Sequence, residues 1–324
     1  MAMTVEAVTK GLERSEWLKL RNRGIGGSDA AAVARLHPYK SPVAVWLEKT
    51  GQVTPPDLSS ESAEWGNILE DVVAKRFSEK TGLKIQRSNK LYRHPEHPFM
   101  LGNIDRMITD SNKRRGVLEV KTTSEFNKDE WIDAGDTEEA SRIPDHYMIQ
   151  LQHYLSVLGL DYGFFAVLIG GNKFRYKYVE RDERVIKYLI ELESKFWLEN
   201  VQKKILPEID GSKASTELLS YLYPESKPES SIVIPETEEN AKLIADLHEA
   251  RAAVGAAEER FEGLRNQIKM LMADNEEAYF RGEKVFTWKS SQRTTLDSKA
   301  LKKELPDVYE RFAKTSSTRT FLVK

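Results

Sequence analysis

The sequence predicts an α/β protein that continues into a C-terminal helical, coiled-coil extension. Two strand pairs, over 101–122 and 162–178, are each joined by a short polar or glycine-bearing turn. Segments with apolar residues at helical spacing alternate with them. From Leu243 onward, apolar residues step by 4, 3, 4, 3 for about four heptads.

The elements follow in order. A short helix is expected over 14–20, then the Gly24-Ile25-Gly26-Gly27 turn, with Ser28 as N-cap of a helix over 29–36. Pro42 opens a helix carrying Val45, Trp46 and Leu47, and Gly51 closes it. Residues 53–61 form a polar, proline-bearing loop. A longer helix over 62–80 presents Ile68, Leu69, Val72, Val73 and Phe77 on one face and stops at Gly82. A strand over 85–92 precedes a hairpin with arms 101–108 and 117–122 and the turn Asp110-Ser111-Asn112-Lys113. Residues 124–142 are polar and acidic, suiting a loop or broken helix. Pro144 starts a helix carrying Gln150 and Tyr154. Strands over 162–169 and 173–178 flank Gly170-Gly171-Asn172, and a helix over 183–201 follows.

The expected organisation is a domain over 1–211, a proline- and serine-bearing linker over 212–236, and an accessory module over 237–324. The module combines a long heptad helix with a small α/β segment. Its seam is Leu243, Leu247, Ala250, Val254, Ala257, Phe261, Leu264, Ile268 and Leu271, weakened locally by Gly255 and Gly263. Such a seam suits packing on its own domain, self-association or a docking partner. A strand over 284–289 and small helices near Ser298 and Pro306 end the chain.

Composition bounds the chemistry. The 324 residues are 40% hydrophobic and 31% charged, as in soluble globular proteins. No apolar run reaches the length of a bilayer span, and the N-terminus lacks a signal-peptide apolar region, so a cytoplasmic location is expected. The absence of cysteine excludes disulfides, thiolate metal sites, a cysteine nucleophile and a cysteine-ligated iron–sulfur cluster. A formal net charge of −2 gives no overall basic field. Basic residues nevertheless crowd 84–115 (Lys84, Arg87, Lys90, Arg93, Arg106, Lys113, Arg114, Arg115) and recur towards the C-terminus. Acids in a basic groove give a near-zero total.

Folding the hairpin about position 112 sets Asp105 opposite Glu119, with Cβ atoms roughly 4.5–5.5 Å apart. Strand alternation places Lys121 on the face of Glu119 and turns Val120 away. Two carboxylates and an ammonium converge, with the Val120 carbonyl as a further oxygen. That group suits Mg²⁺, a cation of oxygen ligands. An exposed Asp/Glu/Lys cluster is the plain alternative. The apolar neighbours Val117, Leu118 and Val120 point instead to a half-buried strand, where charges are costly unless paired or metal-bound.

In these residues the chain resembles the PD-(D/E)XK nucleases, and within them the lambda-exonuclease / YqaJ-type viral recombinase family. Four stretches carry the resemblance in the family's order: Arg21 to Asp29, with Arg21 and Ser28 seven apart; Trp65-Gly66-Asn67-Ile68-Leu69-Glu70; Asp105 with Glu119-Val120-Lys121; and Tyr147-Met148-Ile149-Gln150-Leu151-Gln152. Departures are Ile104 in place of proline and a longer turn before Glu119.

The resemblance implies a mixed central sheet flanked by helices and a Mg²⁺-dependent 5′→3′ exonuclease on double-stranded DNA ends. One or two ions are implied, with Mn²⁺ able to substitute. Asp105, Glu119 and the Val120 carbonyl would be the metal ligands, and Lys121 would orient or deprotonate the attacking water. Glu70 would lie beside the metal and Gln150 near the lysine and the phosphate. Arg21 and Ser28 would hold the 5′-phosphate. A single-strand annealing protein as partner, a ring-shaped trimer, and a phage or mobile-element origin in a bacterial host cytoplasm are also implied.

Two alternatives stay open: an endonuclease of restriction or resolving type, and a non-catalytic DNA-binding scaffold. Arg21 and Ser28 also suit a plain ion pair and helix cap. The six histidines lack metal-ligand spacing, and the glycine run lacks a P-loop lysine. The six tryptophans are expected in the core rather than as base-stacking platforms; if one stacks on DNA, it is Trp131 in the polar loop.

Overall fold

The computed structural model describes residues 3–53, 61–132, 139–314 and 319–323. The expected loop over 53–61 and part of that over 124–142 lie outside them. The described chain forms two compact units, Met1–Leu222 and Tyr223–Lys324.

The first unit begins with β1 (Thr4–Val8), α1 (Arg14–Arg21), α2 (Gly27–Val33), α3 (Pro42–Lys49) and α4 (Glu61–Thr81). β2 (Lys84–Arg87), β3 (Lys90–Arg93), β4 (Leu101–Gly102), β5 (Arg106–Thr109) and β6 (Arg115–Thr123) follow. α5 (Asp145–Leu158), β7 (Tyr162–Ile169), β8 (Lys173–Glu180), α6 (Glu183–Lys195) and α7 (Lys213–Leu222) complete it.

The central sheet runs β2-β5-β6-β7-β8. β6 and β7 are parallel and the other pairs antiparallel, so the sheet is mixed, with helices on both faces. Phe77, Val73 and Ala74 of α4 pack on Leu118, Val120 and Ala166. Leu151 and Leu155 of α5 pack on the opposite face with Val117, Phe165 and Val167. Alternation along β6 thus sends Leu118 and Val120 towards α4, and Val117, Glu119 and Lys121 towards α5.

Several expectations change. The strand expected over 85–92 is two strands in different sheets, and the hairpin arm over 101–108 splits likewise. β4 joins β1 and β3 in a small sheet, while β5 joins the central one. The break at 103–105 leaves Asp105 at the mouth of β5. Ser28 does not cap α2: the helix starts at Gly27 with Gly26 as N-cap. On α4, Ile68 and Val72 face solvent, and the residues buried on the sheet are Val73, Ala74 and Phe77. Trp131 is buried on Tyr147 and Phe165, so it is no exposed stacking platform. Residues 213–222, expected as the start of a linker, are helical because α7 buries Ala214 and Ser215, and Leu218 and Leu222 pack on the α2–α3 core.

The second unit holds α8 (Glu238–Met272), the hairpin β9 (Glu277–Phe280) and β10 (Glu283–Thr287), α9 (Ser298–Glu304) and α10 (Pro306–Phe312). Thr237 caps α8 by accepting from the Asn240 N–H. Among the described residues, no helix is long and apolar enough to cross a membrane.

Candidate active site

The register of the hairpin decides which acids meet. β5 pairs Arg106 with Leu118, which sets Asp105 level with Glu119. Asp105 Oδ2 accepts from the Val120 N–H at 2.9 Å, so the loop acid is tied to the strand that carries the other acid. Glu119 Oε2 accepts from Lys121 Nζ at 3.1 Å and from Gln150 Nε2 at 3.2 Å. Lys121 Nζ also donates to Gln150 Oε1 at 3.4 Å and lies over the Tyr147 ring. Asp105, Glu119, Lys121 and Gln150 are therefore brought together, one from the loop before β5, two from β6 and one from α5.

Electrostatics here are strained towards a cation. Glu119 is almost fully buried, and its Oε1 has no hydrogen-bond partner among the described residues. Burial, and then the neighbouring Asp105 charge, push the Glu119 carboxyl up to about 8 despite Lys121. Burial works against the Lys121 ammonium, but Glu119 and then Asp105 outweigh it and hold its pKa above the ordinary lysine value. A buried carboxylate oxygen without a donor, beside a second carboxylate, fits a hard divalent cation. Asp105, Glu119 and the Val120 carbonyl are the residues able to hold it. Among the described residues no group of three His, Asp or Glu side chains is gathered closely enough to do so without main-chain or water ligands.

Glu70 is not part of this cluster. Its Oε1 pairs with Arg106 Nη1, while Arg106 Nη2 pairs with Asp71. Arg106 shares the α4 side of the sheet with Leu118, whereas Glu119 faces α5. The same guanidinium donates to the Asp105 carbonyl at 2.8 Å. Arg106, one of the basic residues crowding 84–115, is buried and braces the Asp105 backbone to α4. Its position directly after a candidate ligand, on an inward-facing strand site, was the signal available.

Arg21 and Ser28 meet, with Arg21 Nη2 donating to Ser28 Oγ at 3.0 Å. Beneath them lies a charge cluster that sequence spacing did not reveal. The fully buried Asp29 contacts Arg21 at 3.2 Å, Lys40 at 2.9 Å and Lys49 at 2.7 Å, and accepts from the Gly26 N–H at 3.2 Å. Burial alone would raise the Asp29 carboxyl, but Lys40, Lys49 and Arg21 hold it well below the usual carboxylate range. Lys40 is shared with Glu48 at 2.5 Å, so two acids face three cations, leaving positive charge at a cavity of about 140 Å³ lined by Trp17, Arg21, Ser28, Asn103 and Tyr154.

Tyr154 connects the two groups. It lines this cavity, and its hydroxyl accepts from Gln150 Nε2 at 3.2 Å. The close approach of α2 to α5 makes this possible. A Cβ at Gly27 would lie 2.7 Å from the Tyr154 ring and 2.9 Å from Gln150 Cγ, so the position requires glycine. Gln152, the other glutamine of the motif, points away and ties α5 to Glu180 and Asp182 of the β8–α6 connection.

The chain belongs to the YqaJ family. Residues 16–161 match the YqaJ-like viral recombinase domain. The chain is 40% identical over 322 residues to the uncharacterized protein YqaJ of Bacillus subtilis strain 168, covering 99% of this chain and 97% of that one. It is also similar to the alkaline exonuclease of Laribacter hongkongensis in complex with dAMP, with TM-score 0.47 and 19% identity over 64% of this chain and 97% of that one. A phage-related exonuclease of Haemophilus somnus gives TM-score 0.39 and 12% identity, over 56% and 96% of the two chains.

Proposed function

We propose that the protein is a Mg²⁺-dependent 5′→3′ exonuclease acting on double-stranded DNA ends. It would leave 3′ single-stranded tails for recombination by single-strand annealing. The observation that carries this reading is the linkage of two sites. The Asp105/Glu119/Lys121/Gln150 cluster joins the basic Arg21–Ser28 cavity through Tyr154. An end-processing hydrolase needs both: a place for the scissile phosphate and a fixed place for the terminal one.

The residues have separable tasks. Asp105, Glu119 and the Val120 carbonyl would hold Mg²⁺, which when bound would supply charge neutralisation at the phosphate and an activated water. Lys121, held as an ammonium by Glu119 and Asp105, would orient the attacking water by donating to it from Nζ. Gln150 fixes Lys121 and Glu119 in one arrangement through its amide. Arg21 and Ser28 grip the 5′-phosphate with a guanidinium and a hydroxyl, geometry suited to a phosphate dianion. Glu70 acts at one remove, through Arg106 and the Asp105 backbone.

The test is a time course on end-labelled linear duplex with and without 5′-phosphate, in Mg²⁺ and in EDTA. Nucleotide release is expected only with metal and is expected to vanish in Glu119→Ala and Lys121→Ala. Arg21→Ala is expected to lose the preference for 5′-phosphorylated ends. Equal cutting of closed circular and linear DNA would favour an endonuclease. Unchanged release by Glu119→Ala and Lys121→Ala would place the active site elsewhere.

A further inference from the structure

We infer that α8 pairs with α8 of a second copy of this chain as an antiparallel coiled coil, in one particular register. Within the second unit most of the seam is unpartnered: Leu243, Leu247, Val254, Phe261, Leu264 and Leu271 are exposed, Phe261 at 60% and Leu271 at 82%, while Ile268 is half-buried. A 35-residue helix with so continuous an apolar stripe needs a partner surface. The order of side-chain sizes along the stripe says which surface fits.

Set two copies antiparallel so that positions summing to 511 face each other. The cross-helix layers are then Asn240–Leu271, Leu243–Ile268, Leu247–Leu264, Ala250–Phe261 and Val254–Ala257, each occurring twice. Each alanine meets Val254 or Phe261, the next two layers out are leucine or isoleucine pairs, and Leu271 at each end meets Asn240, so the four inner layers can close without a void. The same register superimposes Glu238–Met272 almost wholly on its copy, with the dyad between Gly255 and Ala256.

Flanking charges select the same arrangement. In an antiparallel pair, the flanking positions on one side of the seam face their own kind. Here Arg251 faces Glu258 of the copy on both sides of the dyad, and Asp246 faces Gln267. No like charges oppose each other. Sliding one heptad further sets Glu258 against Glu258, Arg260 against Arg260 and Arg251 against Arg265. A parallel pair fares no better. It stacks Phe261 on Phe261 and Ala250 on Ala250, leaving bulges beside voids, and places Arg260 against Arg265. Size and charge therefore agree on one occupant, a second α8, and on its direction. The pairing brings two copies of the first unit into one particle.

The chain has no cysteine, which makes a register-specific test direct. Full-length Leu247→Cys and Leu264→Cys proteins are oxidised separately and as a mixture. In the inferred register each cysteine is on the order of 25 Å from its own copy along the axis, at 1.5 Å per residue, but faces the other position. A disulfide-linked species of twice the 37.1 kDa chain mass is expected from the mixture and not from either protein alone. Linkage of each protein with itself would establish a parallel pair and overturn the inference, as would no linkage in any sample. Charge reversal gives an independent arm. Arg251→Glu is expected to weaken association about tenfold, and the double variant Arg251→Glu/Glu258→Arg to restore it. In a parallel pair Glu258 faces Ala253, so the second change would not rescue the first, and failure of rescue counts against the register.

Discussion

Glu119 should make the metal-free protein less stable than a neutral side chain would, and Glu119→Gln measures by how much. Its carboxyl sits at about 8 when folded, against 4.5 as the ordinary value. A group whose folded pKa is raised contributes its stability at low pH. Between pH 4.5 and about 8 the unfolded chain releases the proton while the folded chain keeps it, so folding becomes progressively less favourable. At about 1.4 kcal/mol for each pH unit, the full cost above pH 8 is about 5 kcal/mol at most. The glutamine variant recovers only part of this, because Lys121 then loses a counter-charge 3.1 Å away. A net gain of about 1–3 kcal/mol at pH 8.5 is the expectation, shrinking towards zero at pH 5. Urea denaturation in EDTA across pH 5–9 reads it. Saturating Mg²⁺ should then raise the midpoint of the wild type and leave the variant nearly unmoved, because ligand binding to the folded state adds stability by mass action. A variant no more stable than wild type at pH 8.5 in EDTA would refute the argument that Glu119 carries an uncompensated buried charge.

Two further predictions follow from the packing around Arg21. Asp29→Asn leaves Arg21, Lys40 and Lys49 around a neutral group and should destabilise the fold by about 3–5 kcal/mol in denaturant titrations at pH 7. Because the Asp29 pKa is depressed, its contribution is present above 3.8 and is lost as pH falls below that value; the variant should show a flatter acid limb. Gly27→Ala forces a methyl group against Tyr154 and should cost about 1–3 kcal/mol in thermal or chemical denaturation. In a folded Gly27→Ala protein, the preference for 5′-phosphorylated ends should fall more than the rate on unphosphorylated ends. An unaltered ratio would show that the α2–α5 contact does not position the cavity.

The parts legible in the sequence are those set by short-range rules. Strand periodicity puts Glu119 and Lys121 on one face, and the turn length sets Asp105 level with Glu119; both hold because β5 and β6 are sequence neighbours. Helical spacing places Gln150 and Tyr154 one turn apart on α5, so they share a side. The less legible parts involve partners far apart in the chain. Glu70 matches a motif, yet its carboxylate goes to Arg106, because α4 covers the sheet face opposite Glu119. The burial of Trp131 depends on α5 and β7, which nothing in the polar 124–142 stretch announces.

By itself, then, the sequence determined the α/β class, the pairing of acids across a hairpin and the heptad stripe, all of them consequences of residue periodicity over one or two elements. Tertiary structure alone decided the rest. It made Asp29 the buried counter-charge of three cations from three segments, linked the two candidate phosphate sites through Tyr154, and left most of the α8 stripe uncovered within the second unit. The physical reason is that burial, which sets both the cost of a charge and the need for a partner, is a property of packed elements and not of any one of them.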